Sequence, residues 1–382
     1  MTAHERPAAG IRAELRPHDE RCMRLALALG ARHLGLTWPN PSVGAVVVDE
    51  SGAEPVILAQ GITQPGGRPH AERVALEAAG ERARGATLYV SLEPCSHHGV
   101  TPPCIDAVRD FGIARVVTAL EDPDTRVSGR GHAILRQAGV TVLCGVLADE
   151  ATRSHRGHIL RVTEGRPSVM LKLARTADGY AARKGGGRLM ISGARSNART
   201  HLIRARHDAI MVGIGTVLAD DPLLTVRLPG LESRSPVRVV IDSALRTPPV
   251  AQIVRTVDQV PTWIVATEAA PVEAERRLVA AGAEVMRVGT KEGRVDVAEA
   301  LRLLADRGIT RVFSEGGPNL AEALIAADRV DELATATSRA ALGEEGFPAL
   351  GPLLSRALAE RFVRVANEDL GEDELDIYER SR

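Results

Sequence analysis

One imidazole and two thiols dictate where a large part of this chain must converge. His70, Cys95 and Cys104 fall within Pro69-His70-Ala71-Glu72, then Ser91-Leu92-Glu93-Pro94-Cys95-Ser96-His97-His98-Gly99, then Thr101-Pro102-Pro103-Cys104. Zinc takes nitrogen and sulfur ligands in a tetrahedron, and a catalytic site keeps the fourth corner for water or substrate. Glu72 stands two residues beyond the histidine, where a carboxylate can move the protons of such a water. On a regular helix, positions two apart lie about 200° around the axis, so His70 and Glu72 share a site only if the histidine starts its helix. Pro69 directly before it favours that placement.

The pattern around these residues predicts alternating strands and helices. Asp19 to Leu36 carries Met23, Ala26, Leu27, Gly30 and Leu34 at helical spacing, with Asp19 as cap, and Trp38-Pro39-Asn40-Pro41 is a turn. Val43 to Asp49 and Val56 to Gly61 read as strands, followed by a helix that ends near Gly80. Strands at Ala86 to Leu92, Ala114 to Leu120 and Val140 to Leu143 alternate with helices at Cys104 to Phe111 and Gly129 to Ala138. This implies a mostly parallel sheet with helices on its faces. Cys95 falls just past a strand end, where α/β sheets gather functional groups, and Cys104 opens a helix whose free N–H groups favour thiolate.

With 382 residues the chain is long for one core, and the pattern divides it into residues 1–147, an Arg-rich connecting helix or linker at 148–166, and residues 167–382. A net charge of −1 and 2% aromatics give no basic field and few stacking platforms, so a small molecule is the expected partner rather than nucleic acid. No apolar run approaches the roughly 20 residues of a membrane span. The first 17 residues hold no apolar leader, so a cytoplasmic protein is expected. Four cysteines, two of them in a ligand-like cluster, fit metal use in a reducing compartment, with Cys22 and Cys144 as small buried apolar residues. Nothing decides between a monomer and a homo-oligomer.

Beyond Pro167, strands are expected at Ser168 to Ala174, Ala209 to Gly213, Val237 to Asp242, Thr262 to Ala266, Glu284 to Val288 and Arg311 to Ser314. Helices are expected at Ala194 to Arg206, Val295 to Arg307 and Pro318 to Ala327. After a strand beyond Asp331, a loop runs through Gly343 and Gly351 to closing strands at Arg361 to Val365 and Glu374 to Tyr378. Gly213-Ile214-Gly215-Thr216 follows a strand, but Leu218 replaces the third glycine of the dinucleotide fingerprint. Glu315-Gly316-Gly317 lies between strand and helix, where backbone N–H groups can approach an anion, and Asp220 to Arg227 gathers two acids and a base. Ordinary turn chemistry accounts for the glycines as readily, and a solvated loop for the charges.

In zinc deaminases a His-x-Glu element precedes Pro-Cys and a second cysteine, and the glutamate is not a ligand. There two residues separate the cysteines; here eight do. Zinc lowers the pKa of bound water from about 16 to about 7, which makes hydroxide available at neutral pH. The competing reading is a structural zinc with four protein ligands, His97 or His98 completing the set.

Pro39-Asn40-Pro41-x-Val43-Gly44, His70-Ala71-Glu72, the loop from Glu93 to Cys104, and Glu121-Asp122-Pro123 followed by Gly129 resemble the deaminase domain of the bifunctional riboflavin-biosynthesis deaminase/reductases. Leu171-Lys172-Leu173-Ala174, Asp178-Gly179, Leu202 to Ala205, Thr216 to Arg227 and Glu315 to Gly317 are similar to the reductase domain of the same family. The resemblance implies an α/β protein: an N-terminal cytidine-deaminase-like α/β/α domain with one Zn2+ per chain, and a C-terminal dihydrofolate-reductase-like α/β domain that uses NADPH. It implies deamination of 2,5-diamino-6-(5-phosphoribosylamino)pyrimidin-4-one, then reduction of the ribosyl group to ribityl. His70, Cys95 and Cys104 would hold zinc, Glu72 would move protons, and Asn40 and Asp122 would meet the pyrimidine. Ala174, Thr216, Asp220, Ser243 and Gly317 would border NADPH, with Met190 packed on a flat ring. Arg204, Leu224, Arg227 and Glu315 would hold the phosphosugar, Lys172 would polarise it, and Arg188 would reach a phosphate.

The chain departs from the family at three places. Val100 stands where Lys or Arg is common, Asp124 where Asn is usual, and the loop before the Ile191-Ser192-Gly193 turn, Gly187-Arg188-Leu189-Met190, lacks the Ser and Trp that many members have there. Two other readings remain at this level: a nucleoside or transfer-RNA base deaminase with an unrelated partner domain, and a non-catalytic zinc-stabilised nucleotide-binding sensor.

Overall fold

The β-branched run Val46-Val47-Val48 forms a strand buried on both faces, and the first half of the chain is layered around it. In a computed structural model that describes residues 14–124, 127–184 and 189–381, the chain divides into two units, Met1–Thr163 and Glu164–Arg382. The first unit runs α1 (Asp19–Gly30), β1 (Gly44–Asp49), β2 (Val56–Ile62), α2 (Ala71–Ala79), β3 (Thr87–Val90), α3 (Cys104–Asp110), β4 (Arg115–Thr118), α4 (Arg130–Gln137), β5 (Thr141–Cys144), α5 (Ala148–Ser154) and α6 (Arg156–Glu164). Successive strand side chains point to opposite faces. Ala45 and Val47 therefore join Ala71, Ala75 and Leu76 of α2, while Val46 and Val48 join Cys22, Met23 and Ala26 of α1. Gly61 lets α2 lie close on β2, since a Cβ there would be 2.1 Å from the Ala71 carbonyl oxygen.

Three expectations change here. The sheet, in the order β2-β1-β3-β4-β5, is mixed rather than mostly parallel: β1 pairs antiparallel with β2 and β3, and only β3/β4 and β4/β5 are parallel. A short connection makes β1 and β2 a hairpin, whereas crossover helices precede the parallel pairs. Asp19 does not cap α1. His18 holds that position, and Asp19 is buried in the first turn, accepting hydrogen bonds from Arg115 Nη2 at 2.7 Å and the Tyr89 hydroxyl at 2.6 Å. The stretch expected as a connecting helix or linker forms α5 and α6; His155, between them, and His158, in α6, are buried, and the two units divide at Thr163. Cys22 is buried but Cys144, at the end of edge strand β5, is exposed, and all four cysteines are free.

The second unit runs β6 (Ser168–Arg175), β7 (Tyr180–Arg183), α7 (Ala194–Arg204), β8 (Ala209–Gly213), α8 (Ile214–Asp220), β9 (Val237–Ile241), α9 (Gln252–Arg255), β10 (Thr262–Thr267), α10 (Val272–Ala280) and β11 (Glu284–Val288). It continues with β12 (Thr290–Lys291), β13 (Arg294–Val295), α11 (Val297–Asp306), β14 (Arg311–Ser314), α12 (Pro318–Ala326), β15 (Glu332–Ser338), β16 (Gly346–Pro348), α13 (Pro352–Arg361), β17 (Phe362–Asp369) and β18 (Asp373–Arg380). Nine strands form one sheet in the order β11-β10-β9-β8-β14-β6-β15-β18-β17, parallel from β11 to β15 and antiparallel at β18 and β17. The chain leaves β8 through α8 toward β9 on one side, and leaves β14 through α12 toward β15 on the other. The loops after β8 and β14 thus flank a topological switch point, where open α/β sheets take ligands. Helix α13 replaces part of the expected loop, with Pro352 in its first turn, a position where the missing N–H costs nothing. Among the described residues no helix is long and apolar enough to cross a membrane.

Candidate active sites

His70 sits at the N-cap position of α2 with extended backbone (φ −70°, ψ 157°), and its carbonyl accepts from Val74 N at 3.1 Å. That extended residue breaks the helical phase, so the constraint of positions two apart does not separate it from Glu72, buried in the first turn. Cys95 lies past the end of β3, and Cys104 opens α3 with its N–H donating to Cys95 Sγ at 3.2 Å. His70 Nδ1 is 3.3 Å from Cys104 Sγ and 3.6 Å from Cys95 Sγ. A tetrahedral zinc bonded at about 2.1 Å to nitrogen and 2.3 Å to sulfur separates those ligands by about 3.6 Å, so this donor set fits one zinc ion. The three ligand atoms lie within 4.8 Å of one another, and among the described residues no other His, Cys, Asp or Glu joins that group. His97 and His98 therefore stand outside it, against the four-ligand reading.

The hydrogen bond from the Cys104 side chain, helped by His70 and the Cys104 N–H, pulls the Cys95 thiol down to about 4, although burial opposes it. The same shared contact, with burial, pushes Cys104 well up. The hydrogen bond with Cys95 raises His70, and burial raises Glu72. Zinc needs both sulfurs as thiolates. Zinc uptake by chelator-stripped protein at pH 7 is accordingly expected to release protons, Cys104 surrendering its own. A pH indicator in weak buffer measures the release, and uptake without it would contradict this ligand set.

Asn40 rests on the turn that leads into His70. Its Nδ2 donates to the Gly67 carbonyl at 3.0 Å, and Gly67 has φ +83°, where a Cβ would come within 2.3 Å of that nitrogen. Asp122 is buried past β4, where its Oδ1 lies 2.9 Å from His158 Nε2 and accepts from Asp124 N at 3.0 Å. The Glu93 carboxylate, two residues before Cys95, accepts from the N–H groups of Asp122 (3.1 Å), Gly129 (2.9 Å) and His132 (3.2 Å). It therefore ties the cysteine loop to the Asp122 loop. His155 Nε2 lies 3.1 Å from Ser91 Oγ. Sequence reasoning gave His155 and His158 no role, yet their three-residue spacing in an Arg-rich segment is a signal that a helix face turns inward.

In the second unit Ser243, Glu315 and Gly317 follow the ends of parallel strands, Thr216 and Asp220 lie in α8 directly after β8, Lys172 and Ala174 lie in β6, and Arg204 ends α7. Gly213 and Gly317 hold the N-cap positions of α8 and α12. A Cβ on Gly215 or Gly317 would meet nothing within 4 Å, which leaves open backbone at the switch point for a dinucleotide's phosphates. Thr216 lies in α8, Asp220 ends it exposed, Ala174 is in β6, and Met190 is 69% exposed. The Ser243 hydroxyl accepts from Val295 N at 3.0 Å. Arg188 lies outside the described residues.

Arg204 grips Glu315 with two parallel bonds, Nε to Oε1 at 2.5 Å and Nη2 to Oε2 at 2.9 Å, and donates Nη1 to the Thr225 carbonyl at 3.0 Å. Its fork is therefore largely committed inside the protein. Arg227 is exposed, with Nη1 3.5 Å from Thr225 Oγ1, and is the freer of the two for a phosphate. Leu224 has φ +54° and its side chain is in the core, so only its backbone can meet a ligand. Burial pushes the Lys172 amine down, partly opposed by Glu315.

The cytidine and deoxycytidylate deaminase zinc-binding region matches residues 16–120, and the RibD C-terminal domain matches residues 167–369. The riboflavin biosynthesis protein RibD of Escherichia coli K12 is 38% identical over 338 residues, 86% of this chain and 89% of that protein. The Aquifex aeolicus RibD is 38% identical over 96% of this chain and 99% of that one. The Acinetobacter baumannii RibD structure superposes with a TM-score of 0.83 at 30% identity, covering 96% of this chain and 99% of that one. A Thermotoga maritima diaminohydroxyphosphoribosylaminopyrimidine deaminase/5-amino-6-(5-phosphoribosylamino)uracil reductase gives 0.81 at 33%, covering 95% and 99%. Fold, metal site and matches together define a zinc-dependent deaminase and a reductase carried on one chain. The chain belongs to the RibD family of bifunctional riboflavin-biosynthesis enzymes. Its two domains imply Zn2+ and NADPH, and the base-deaminase and sensor readings are not favoured.

Proposed function

We propose that the first unit deaminates 2,5-diamino-6-(5-phosphoribosylamino)pyrimidin-4-one and that the second reduces the ribosyl group of the product to ribityl. The observation that carries the first step is the His70, Cys95 and Cys104 group beside buried Glu72. Zinc, when bound, supplies a water activated at neutral pH. Glu72 would take one proton from the attacking water and pass it to a ring nitrogen as the C–O bond forms, then take the remaining proton of the added hydroxyl and give it to the amine, which leaves as ammonia as the C–N bond breaks and the carbonyl forms. Asn40 and Asp122 hold the pyrimidine, and His158 fixes the Asp122 carboxylate.

In the second unit NADPH supplies hydride and the protein positions it. Ala174, Met190, Thr216, Asp220, Ser243 and Gly317 border the cofactor, Lys172 polarises the sugar, and Arg188 is assigned to a phosphate. Arg227 takes the phosphate, and the backbone of Leu224 with the Arg204–Glu315 pair shapes the sugar site. The enzyme works in the cytoplasm on a small molecule, with no nucleic-acid or membrane partner, and self-association is compatible with this reading.

The test is an assay with that substrate: ammonia should appear without NADPH, and nicotinamide absorbance should fall only once deamination has occurred. About one zinc per chain should survive purification, and Cys95→Ser or Cys104→Ser should lose both zinc and ammonia release. Retention of metal in both variants would remove the ligand assignment. Arg227→Ala should raise KM for reduction by about tenfold or more while sparing deamination, and equal loss of both activities would contradict two separate sites.

A further inference from the structure

We infer that Arg68 is the cation that receives the substrate's phosphate in the deaminase site, an inference that rests on the phosphoribosylaminopyrimidine reading above. Arg68 precedes the ligand His70 by two residues, and its side chain lies along the loop between the two cysteines. Its Nη1 donates to Thr101 Oγ1 at 2.7 Å, and a Cβ on Gly99 would be 3.3 Å from its Nη2. Nη1 also lies 3.5 Å from His70 Nε2. That contact is not a hydrogen bond in the ligating tautomer: with the Nδ1 lone pair turned to the sulfur side, the neutral ring carries its proton on Nε2, and two donors meet.

Thr101 is then the one acceptor for Arg68 among the described residues, and Arg68 forms no ion pair there. Arg115, Arg166, Arg199 and Arg204, by contrast, are each tied to a carboxylate. A guanidinium offers five N–H donors in a planar fork, and most of this one is uncommitted. The loop it crosses, Ser96 to Pro103, contains no Lys or Arg, and its Val100 is 88% exposed. A half-buried, unpaired fork at the edge of the ligand group therefore waits for an anion, and the anion the substrate offers is a phosphate that such a fork binds with two parallel hydrogen bonds.

The alternative is that Arg68 merely braces the loop through Thr101. Ammonia release by the zinc-loaded full chain, measured without NADPH so that the second unit is silent, separates the two. Arg68→Ala should raise KM for the phosphorylated substrate about 10- to 100-fold with a smaller change in kcat, and Arg68→Lys should recover part of it. On the dephosphorylated riboside, wild type and Arg68→Ala should share one KM. Inorganic phosphate should compete with substrate in wild type and not in Arg68→Ala, with zinc content equal in both. Thr101→Val, which removes the brace and keeps the cation, should leave KM nearly unchanged.

Equal losses on both substrates, loss of zinc in Arg68→Ala, or a Thr101→Val enzyme as impaired as Arg68→Ala would make Arg68 a brace and overturn the inference. An unchanged KM in Arg68→Ala, while wild type releases ammonia, overturns this inference alone. No ammonia from the phosphorylated compound in wild type overturns the substrate reading together with it.

Discussion

Glu72→Gln should retain zinc and release ammonia about a thousandfold more slowly, within the range that a positioned general acid/base contributes. Gln has nearly the same shape, so the packing of α2 survives, but an amide neither takes the proton of water nor returns it to a leaving amine. Burial pushes the Glu72 carboxyl up, so carrying a charge there opposes folding, and the neutral amide is expected to leave the melting temperature unchanged or slightly higher. Activity and stability should thus move independently. Reduction of the deaminated intermediate, which depends on the second unit, should persist. Metal analysis, ammonia release and thermal unfolding on one preparation decide the matter. Loss of zinc along with activity would give Glu72 a structural task, and normal ammonia release would mean that another group moves the protons.

What the sequence revealed and what it hid follow from the range of the interactions involved. Strands β8 and β14 run from residue 209 to 213 and from 311 to 314, as expected, because each is a short, mostly buried run around apolar residues, closed by a glycine or an acid-glycine turn. The His70 and Glu72 arrangement was legible because helix geometry allows one solution only, the histidine at the helix start. The direction of β1 was not, since alternation of elements does not tell a hairpin from a crossover. Nor did any local signal show that His158 reaches Asp122, 36 residues away, or that Arg204 reaches Glu315, 111 away. The two arginines expected at the phosphosugar, Arg204 and Arg227, look alike in the sequence, and only their partners distinguish the committed fork from the freer one. Arg68 escaped notice for the same reason, because its meaning lies in the carboxylate it does not have.

Arg204→Leu should destabilise the second unit by about 3–5 kcal/mol, the usual cost of stranding one partner of a buried ion pair. Both side chains are 12% exposed, and the pair has the bidentate geometry in which the attraction best offsets desolvation. For a unit of this size, such a loss lowers the melting temperature by about 10 °C. Burial alone would raise the Glu315 carboxyl, but the charge and hydrogen bonds of Arg204 outweigh it and hold it below the usual carboxylate range. A depressed folded-state pKa stabilises above the unfolded value and is lost as pH falls through the folded one. Wild type should therefore lose this contribution only on acidification below the usual carboxylate range, and Arg204→Leu should lack that acid-side loss. Combining Arg204→Leu with Glu315→Leu removes both charges and should recover most of the stability without recovering NADPH oxidation, which separates the pair's proposed part in shaping a sugar site from its part in folding. A double variant that is stable and oxidises NADPH normally with the deaminated substrate would place the sugar elsewhere. One that stays as unstable as the single variant would show that the pair's worth lies in its shape rather than in the stranded charge.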